Sequence, residues 1–225
     1  VRLPLTPRVT LFFFALGLIT VFLVPVIYYS APVTSPEHIK LFTWLMQYGG
    51  SLAALPLSLA VALGTLRAPR ARGSEQPLRT ALITSIVLFG IGGGIGFLIQ
   101  GSNVTIPAHY HGSIIGVTLA FMGLTYHLLP ALGFAAPEPK WARIQPWFYG
   151  AGQLLHVGGL VWSGGYGVQR RVAGAEQGLR GFDQLAGMAL MGLGGLVAIL
   201  GGLLFLVIVL RAIARAPRGV SASGG

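Results

Sequence analysis

The chain is 225 residues long, 54% hydrophobic and only 9% charged, with 34 glycines, no cysteine and a formal net charge of +10. This composition excludes an ordinary soluble domain and points to an integral membrane protein. The absence of cysteine excludes disulfides, thiolate metal sites and covalent c-type haem attachment.

Apolar stretches long enough to cross a hydrocarbon core of roughly 30 Å run over 9–29, 41–66, 80–100, 109–132, 146–166 and 185–210. The expected fold is therefore an all-α six-transmembrane-helix bundle, one domain over 1–225. The first stretch is too long, and too poor in a small-residue cleavage site, to read as a secretory signal peptide. Loops rich in Lys and Arg stay cytoplasmic. With both termini inside, Arg2, Arg8, Arg67, Arg70, Arg72, Arg79, Lys140, Arg143, Arg211, Arg215 and Arg218 fall on the cytoplasmic side, and only Lys40, Arg170, Arg171 and Arg180 outside. The expected localisation is a prokaryotic cytoplasmic (inner) membrane. The positive charge is thus mostly topology, and no motif supports a nucleic-acid partner.

His38 falls in the first outer loop and reads as solvated. The second span carries a polar stripe, Thr43, Gln47, Ser51, Ser58 and Thr65, at near-helical spacing. It resembles a proton-conducting stripe and equally fits a helix contact. Gly90, Gly92, Gly93, Gly94 and Gly96 crowd the third span, and Gly192, Gly194, Gly195, Gly201 and Gly202 the sixth. Tight helix packing explains such residues; the alternative is that they open room for a flat cofactor.

The fourth span opens on His109-Tyr110-His111. At about 100° per residue, imidazoles at i and i+2 point roughly 200° apart. They cannot share one metal on one helix, so they offer a ligand to each of two neighbouring sites. No Glu or Cys stands near to complete a zinc site. Haem iron fits better, because the porphyrin supplies four nitrogens and the protein only one or two. Ionisable side chains inside a membrane span are costly and mark function by default. His127 lies 18 residues beyond His109, about 27 Å deeper and on nearly the same face: a headgroup-level side chain, or the ligand of a second stacked haem. His156, near mid-depth of the fifth span and about 10 Å deeper than His111, reads as a hydrogen-bonded core imidazole or a further haem contact. Arg170 and Arg171 read as a solvated loop pair on their own chemistry.

The run Gly92-Gly93-x-x-Gly96, Ala108-His109-Tyr110-His111, the helix ending Tyr126-His127-Leu128-Leu129-Pro130, Trp147-Phe148 through Gly152, and Gly167-Val168-Gln169-Arg170-Arg171 resembles the C-terminal half of subunit I of the haem-copper oxidase superfamily, among cytochrome c oxidase, cbb3-type oxidase and nitric-oxide reductase relatives. The resemblance covers about 41–210 and is specific from Gly90 to Arg171. It implies that His109 is the proximal ligand of a high-spin haem, His111 an axial ligand of a low-spin haem, and Arg170 with Arg171 the pair that binds haem propionates. It implies b-type haem, one or two, in an electron-transferring subunit of a respiratory complex. Partners would be other membrane subunits, a chain supplying a second haem ligand, and quinone or cytochrome c as redox partner. The family has twelve helices. Here the half that bears the other low-spin ligand is missing, as are a His pair in the first two spans and a His-Pro-Glu motif, so no copper and no oxygen reduction are expected from this chain alone. The alternative is half of a split oxygen or nitric-oxide reductase completed by a partner chain.

Overall fold

The computed structural model describes residues 5–172 and 174–215. Arg2 and Arg218, two of the charges counted toward the cytoplasmic side, lie outside the described residues. The chain forms two units, Val1–Arg70 and Ala71–Gly225, and among the described residues both are built of helices.

In the first unit, α1 (Pro7–Ser30) is capped by Thr6, whose hydroxyl accepts from the Val9 amide at 3.4 Å. None of its residues is buried, and a helix that is apolar all round belongs in lipid. α2 (Pro36–Trp44), a π-helical turn (Leu45–Gly49) and α3 (Gly50–Arg67) form one continuous 32-residue segment. The π turn packs on α1, where the Thr20 hydroxyl donates to the Gly49 carbonyl at 3.2 Å. His38 is not solvated: it is 8% exposed, with Nδ1 3.0 Å from the Ala31 carbonyl and its ring beside Tyr28 and Phe42. The helix begins at Pro36 rather than at Leu41, which draws His38 out of the loop and into the first turn. In the polar stripe, the hydroxyls of Thr43, Ser51 and Thr65 each donate to the carbonyl four residues back, the usual way a helix in an apolar medium satisfies them.

The second unit holds α4 (Glu75–Gly96), α5 (Thr105–Ala131), α6 (Pro139–Gly165) and α7 (Phe182–Ala214). α4 packs on α5, and α6 on α7, at distances that only small residues allow. A Cβ on Gly112 would stand 2.6 Å from the Gly92 Cα, one on Gly152 2.9 Å from the Ala198 Cα, and one on Gly201 2.7 Å from the Tyr149 Cα. Three apolar layers follow one another along the bundle: Ile95, Ala108, Val157 and Leu160; then Leu88, Leu119, Tyr149 and Ala198; then Tyr126, Leu129, Ala142, Ile208 and Ala212. Between the last two layers lies Gln145, fully buried, accepting from the Tyr126 hydroxyl at 3.0 Å and donating to the Gly201 carbonyl at 3.1 Å.

Each helix begins before the apolar stretch that announced it, because helical hydrogen bonding continues into polar flanks where hydropathy has already fallen, whereas α4 stops at Gly96, four residues short of the expected end at Gln100. Among the described residues, five helical segments are long and apolar enough to cross a membrane: Pro7–Ser30, Pro36–Arg67, Glu75–Gly96, Thr105–Ala131 and Phe182–Ala214. α6 is as long as α5 but carries Lys140, Arg143, Gln145, Gln153 and His156, which dilute its apolarity.

Candidate functional site

The start of α5 is fixed from two sides. The Asn103 side chain accepts from the Thr105 amide at 3.0 Å, and the Val104 amide donates to the Val168 carbonyl at 3.0 Å. The second bond ties this helix end to the α6–α7 loop, which carries Arg170 and Arg171. His109 and His111 follow within the first two turns.

The two imidazoles meet different neighbours, as their i, i+2 spacing requires. His109 turns to α4, where its Nδ1 lies 2.7 Å from the Gly92 carbonyl. Its ring fills the space left by Gly96: a Cβ there would stand 2.9 Å from both Cε1 and Nδ1. His111 turns to α6. Its Nδ1 lies 2.8 Å from the Pro107 carbonyl, and its ring centroid is 4.9 Å from that of Tyr110 and 4.9 Å from that of His156. His156 in turn has Nδ1 2.9 Å from the Met191 carbonyl of α7 and sits against Gly195, where a Cβ would be 3.3 Å from Nδ1. A carbonyl can only accept, so in all three rings Nδ1 is the donor of this bond, and Nε2 is the nitrogen left to meet a ligand.

The ring contact between His111 and His156 was not legible in the sequence, which placed His156 about 10 Å deeper. α5 begins at Thr105, not His109, so His111 is about 9 Å along it, while His156 is about 14 Å from the far end of α6 at Gly165. The remaining offset is small enough for the rings to touch. The glycines divide accordingly. Gly92, Gly194 and Gly201 face neighbouring backbone, and Gly96 and Gly195 make room for the two rings. At Gly90, Gly93, Gly94 and Gly192 a Cβ would have nothing within 4 Å.

Outside the α5 start, a recess of about 330 Å³ is lined by Pro107, Tyr110, Gln169, Arg170, Arg171 and Gln177. The Arg170 Nε donates to the Ser102 hydroxyl at 3.1 Å. Arg171 holds φ at 65°, a left-handed conformation that non-glycine residues adopt only when the surroundings enforce it. His127 does not join this group: it lies on the same helix 18 residues on, exposed, near the opposite end of the bundle. Gln153, 9% exposed and one turn before His156, has a buried Oε1 with no hydrogen-bond partner among the described residues.

The donor set suits haem. Imidazoles with Nδ1–H bound to a carbonyl are, when neutral, oriented, electron-rich nitrogen ligands, and a guanidinium recess at the end of the bundle suits carboxylates through charge-assisted hydrogen bonds. Among the described residues no group of three or more His, Asp or Glu side chains is placed to hold a bare metal ion.

No family model matches the chain. Over 142 residues it is 37% identical to an uncharacterized protein of Rickettsia prowazekii (strain Madrid E), covering 58% of this chain and 27% of that protein. Over 68 residues it is 31% identical to an uncharacterized protein of Aquifex aeolicus (strain VF5), covering 30% of this chain and 18% of that one. Its fold is similar to a chain in a cryo-EM structure of a heme-copper terminal oxidase dimer, with a TM-score of 0.64 and 18% identity over 88% of this chain and 40% of that chain. The chain thus spans about a quarter of the first curated relative and two fifths of the solved one. At this identity the likeness establishes the fold, that of a helical membrane bundle.

Proposed function

We propose that this chain is the haem-holding part of an oxidase-like respiratory membrane complex, in which α5 would hold b-type haem on either side as electron carriers. His109 would be the ligand on the α4 side and His111 the ligand on the α6 side; Arg170 and Arg171 would hold propionates at the outer edge. The observation that carries this reading is that His109 and His111 face different helices while each engages a carbonyl through Nδ1 and leaves Nε2 for a ligand. The fold likeness to a heme-copper terminal oxidase chain supports it. Haem supplies a one-electron carrier. The chain's own residues orient the ligand nitrogens, through the carbonyls of Gly92 and Pro107, and exclude water by the packed layer of Ile95, Ala108, Val157 and Leu160.

In this reading α6 crosses the membrane with the other five segments, both termini face the cytoplasm by the Lys and Arg asymmetry, and the membrane is the inner membrane of a prokaryote. A haem held by His111 would take any further protein ligand from elsewhere in the assembly, which would also supply the other membrane subunits and the electron donor, a quinone or cytochrome c. A second reading, favoured by the same fold likeness, is that the assembly reduces oxygen or nitric oxide with copper or iron ligands outside residues 1–225. Reduced-minus-oxidised spectra of the purified complex test both: a b-type band that loses its high-spin part in His109→Ala and its low-spin part in His111→Ala is expected. A complex with no b-type band refutes the proposal, and oxygen or nitric-oxide consumption by the haem-loaded complex decides for the second reading.

A further inference from the structure

At the bundle end opposite Arg170, the start of α6 and the end of α7 enclose a recess of about 250 Å³. Along α7 its wall is Leu204, Val207, Arg211 and Arg215, which recur at three- and four-residue spacing and so form one stripe. The stripe is apolar toward the middle of α7 and cationic toward its end, with about 12 Å between Val207 and Arg215. From α6 come Trp141, 40% exposed, and Glu138, the residue just before the helix. Among the described residues neither Glu138 nor either arginine has an ion-pair partner, although the three line the same recess.

That order of groups complements one kind of molecule. An acyl chain lies along Leu204 and Val207, a phosphate meets the two guanidiniums, and Trp141 marks the headgroup level, where indole rings concentrate. Glu138 then discriminates between headgroups. A purely anionic headgroup would set its charge against this carboxylate, and a choline ammonium has no N–H to donate. A primary ammonium next to the phosphate pairs with the carboxylate through charge-assisted hydrogen bonds. We infer that the recess formed by Glu138, Trp141, Val207, Arg211 and Arg215 is a binding site for an aminophospholipid of the phosphatidylethanolamine class. The site is independent of the haem proposal, since it shares none of its residues.

The test is native mass spectrometry of the purified membrane complex reconstituted with equal phosphatidylethanolamine, phosphatidylcholine and phosphatidylglycerol. The wild type retains phosphatidylethanolamine over each of the others by about three- to tenfold, the range of one partly exposed charge-assisted contact. Glu138→Gln removes that preference and raises phosphatidylglycerol, whereas Arg211→Gln with Arg215→Gln lowers retention of both. Equal retention of the choline lipid, stronger retention of the glycerol lipid, or an unchanged ranking in Glu138→Gln overturns the assignment, as does loss of a bound quinone in place of a phospholipid. If the double variant does not assemble, photo-crosslinking of the wild-type complex with a diazirine-bearing phosphatidylethanolamine decides. Label on Trp141 or the 204–207 turn supports the site, and label absent from both refutes it.

Discussion

Replacing Gly96 by Ala tests whether the glycines of α4 hold open the position of the His109 ring. The new Cβ would lie 2.9 Å from Cε1 and Nδ1 of His109, closer than carbon and nitrogen tolerate, so the ring moves and its 2.7 Å bond to the Gly92 carbonyl stretches or breaks. A net hydrogen bond contributes about 0.5–1.5 kcal/mol, and forcing the ring off its rotamer adds about 0.5–1.5 kcal/mol. A combined loss of about 1–3 kcal/mol shifts the native ring position about five- to 150-fold. Gly93→Ala and Gly94→Ala are the controls, because nothing lies within 4 Å of a Cβ at either position and helix propensity favours Ala by about 0.5–1 kcal/mol. High-spin haem content, read from the carbon monoxide difference spectrum of the purified complex, is expected to fall in Gly96→Ala and to hold in both controls, with thermal stability reported alongside. Should Gly96→Ala match the controls in spectrum and midpoint temperature, the assignment of Gly96 as the cradle of a ligand imidazole is wrong.

His156→Leu is expected to broaden and shift the low-spin electron paramagnetic resonance signal, because the ring packed against His111 at 4.9 Å limits its rotation; His156→Phe keeps a ring there and stays near wild type, and identical spectra for all three remove His156 from the site. Changing Arg170 and Arg171 together to Leu should lower haem occupancy or shift its midpoint potential in a redox titration, and unchanged values return the pair to ordinary solvated loop residues. Gln145→Leu leaves the buried Tyr126 hydroxyl and Gly201 carbonyl without their partner, a loss of about 1–3 kcal/mol to be read as a lower denaturation midpoint with the haem spectrum intact.

Long apolar runs announced six helical segments, since bilayer-length hydrophobicity is a property of single stretches. Helix ends were less legible, because a helix continues through polar flanks such as Thr105–Ala108 and Pro139–Gln145. That error carried directly into His38, read as solvated yet buried, and into His156, read as deeper than His111 yet packed against it. The opposed directions of His109 and His111 follow from helical geometry alone and agree with their separate neighbours on α4 and α6. What each ring bonds to depends on helix pairing, which residue spacing does not encode: nothing in the sequence pairs His109 with the Gly92 carbonyl, or His156 with that of Met191 on a helix 35 residues away. The glycines show the same limit. Their clustering was visible, but their division between backbone contact at Gly92 and Gly201 and ring cradle at Gly96 and Gly195 appears only once the helices are packed.

The most direct test of haem ligation by α5 is the ratio of haem b to chain, measured by the pyridine haemochrome assay on the purified complex and on its His109→Ala and His111→Ala variants. Loss of haem in each single variant, and loss of more in the double variant, is the expected result. A double variant that keeps the wild-type ratio contradicts the account.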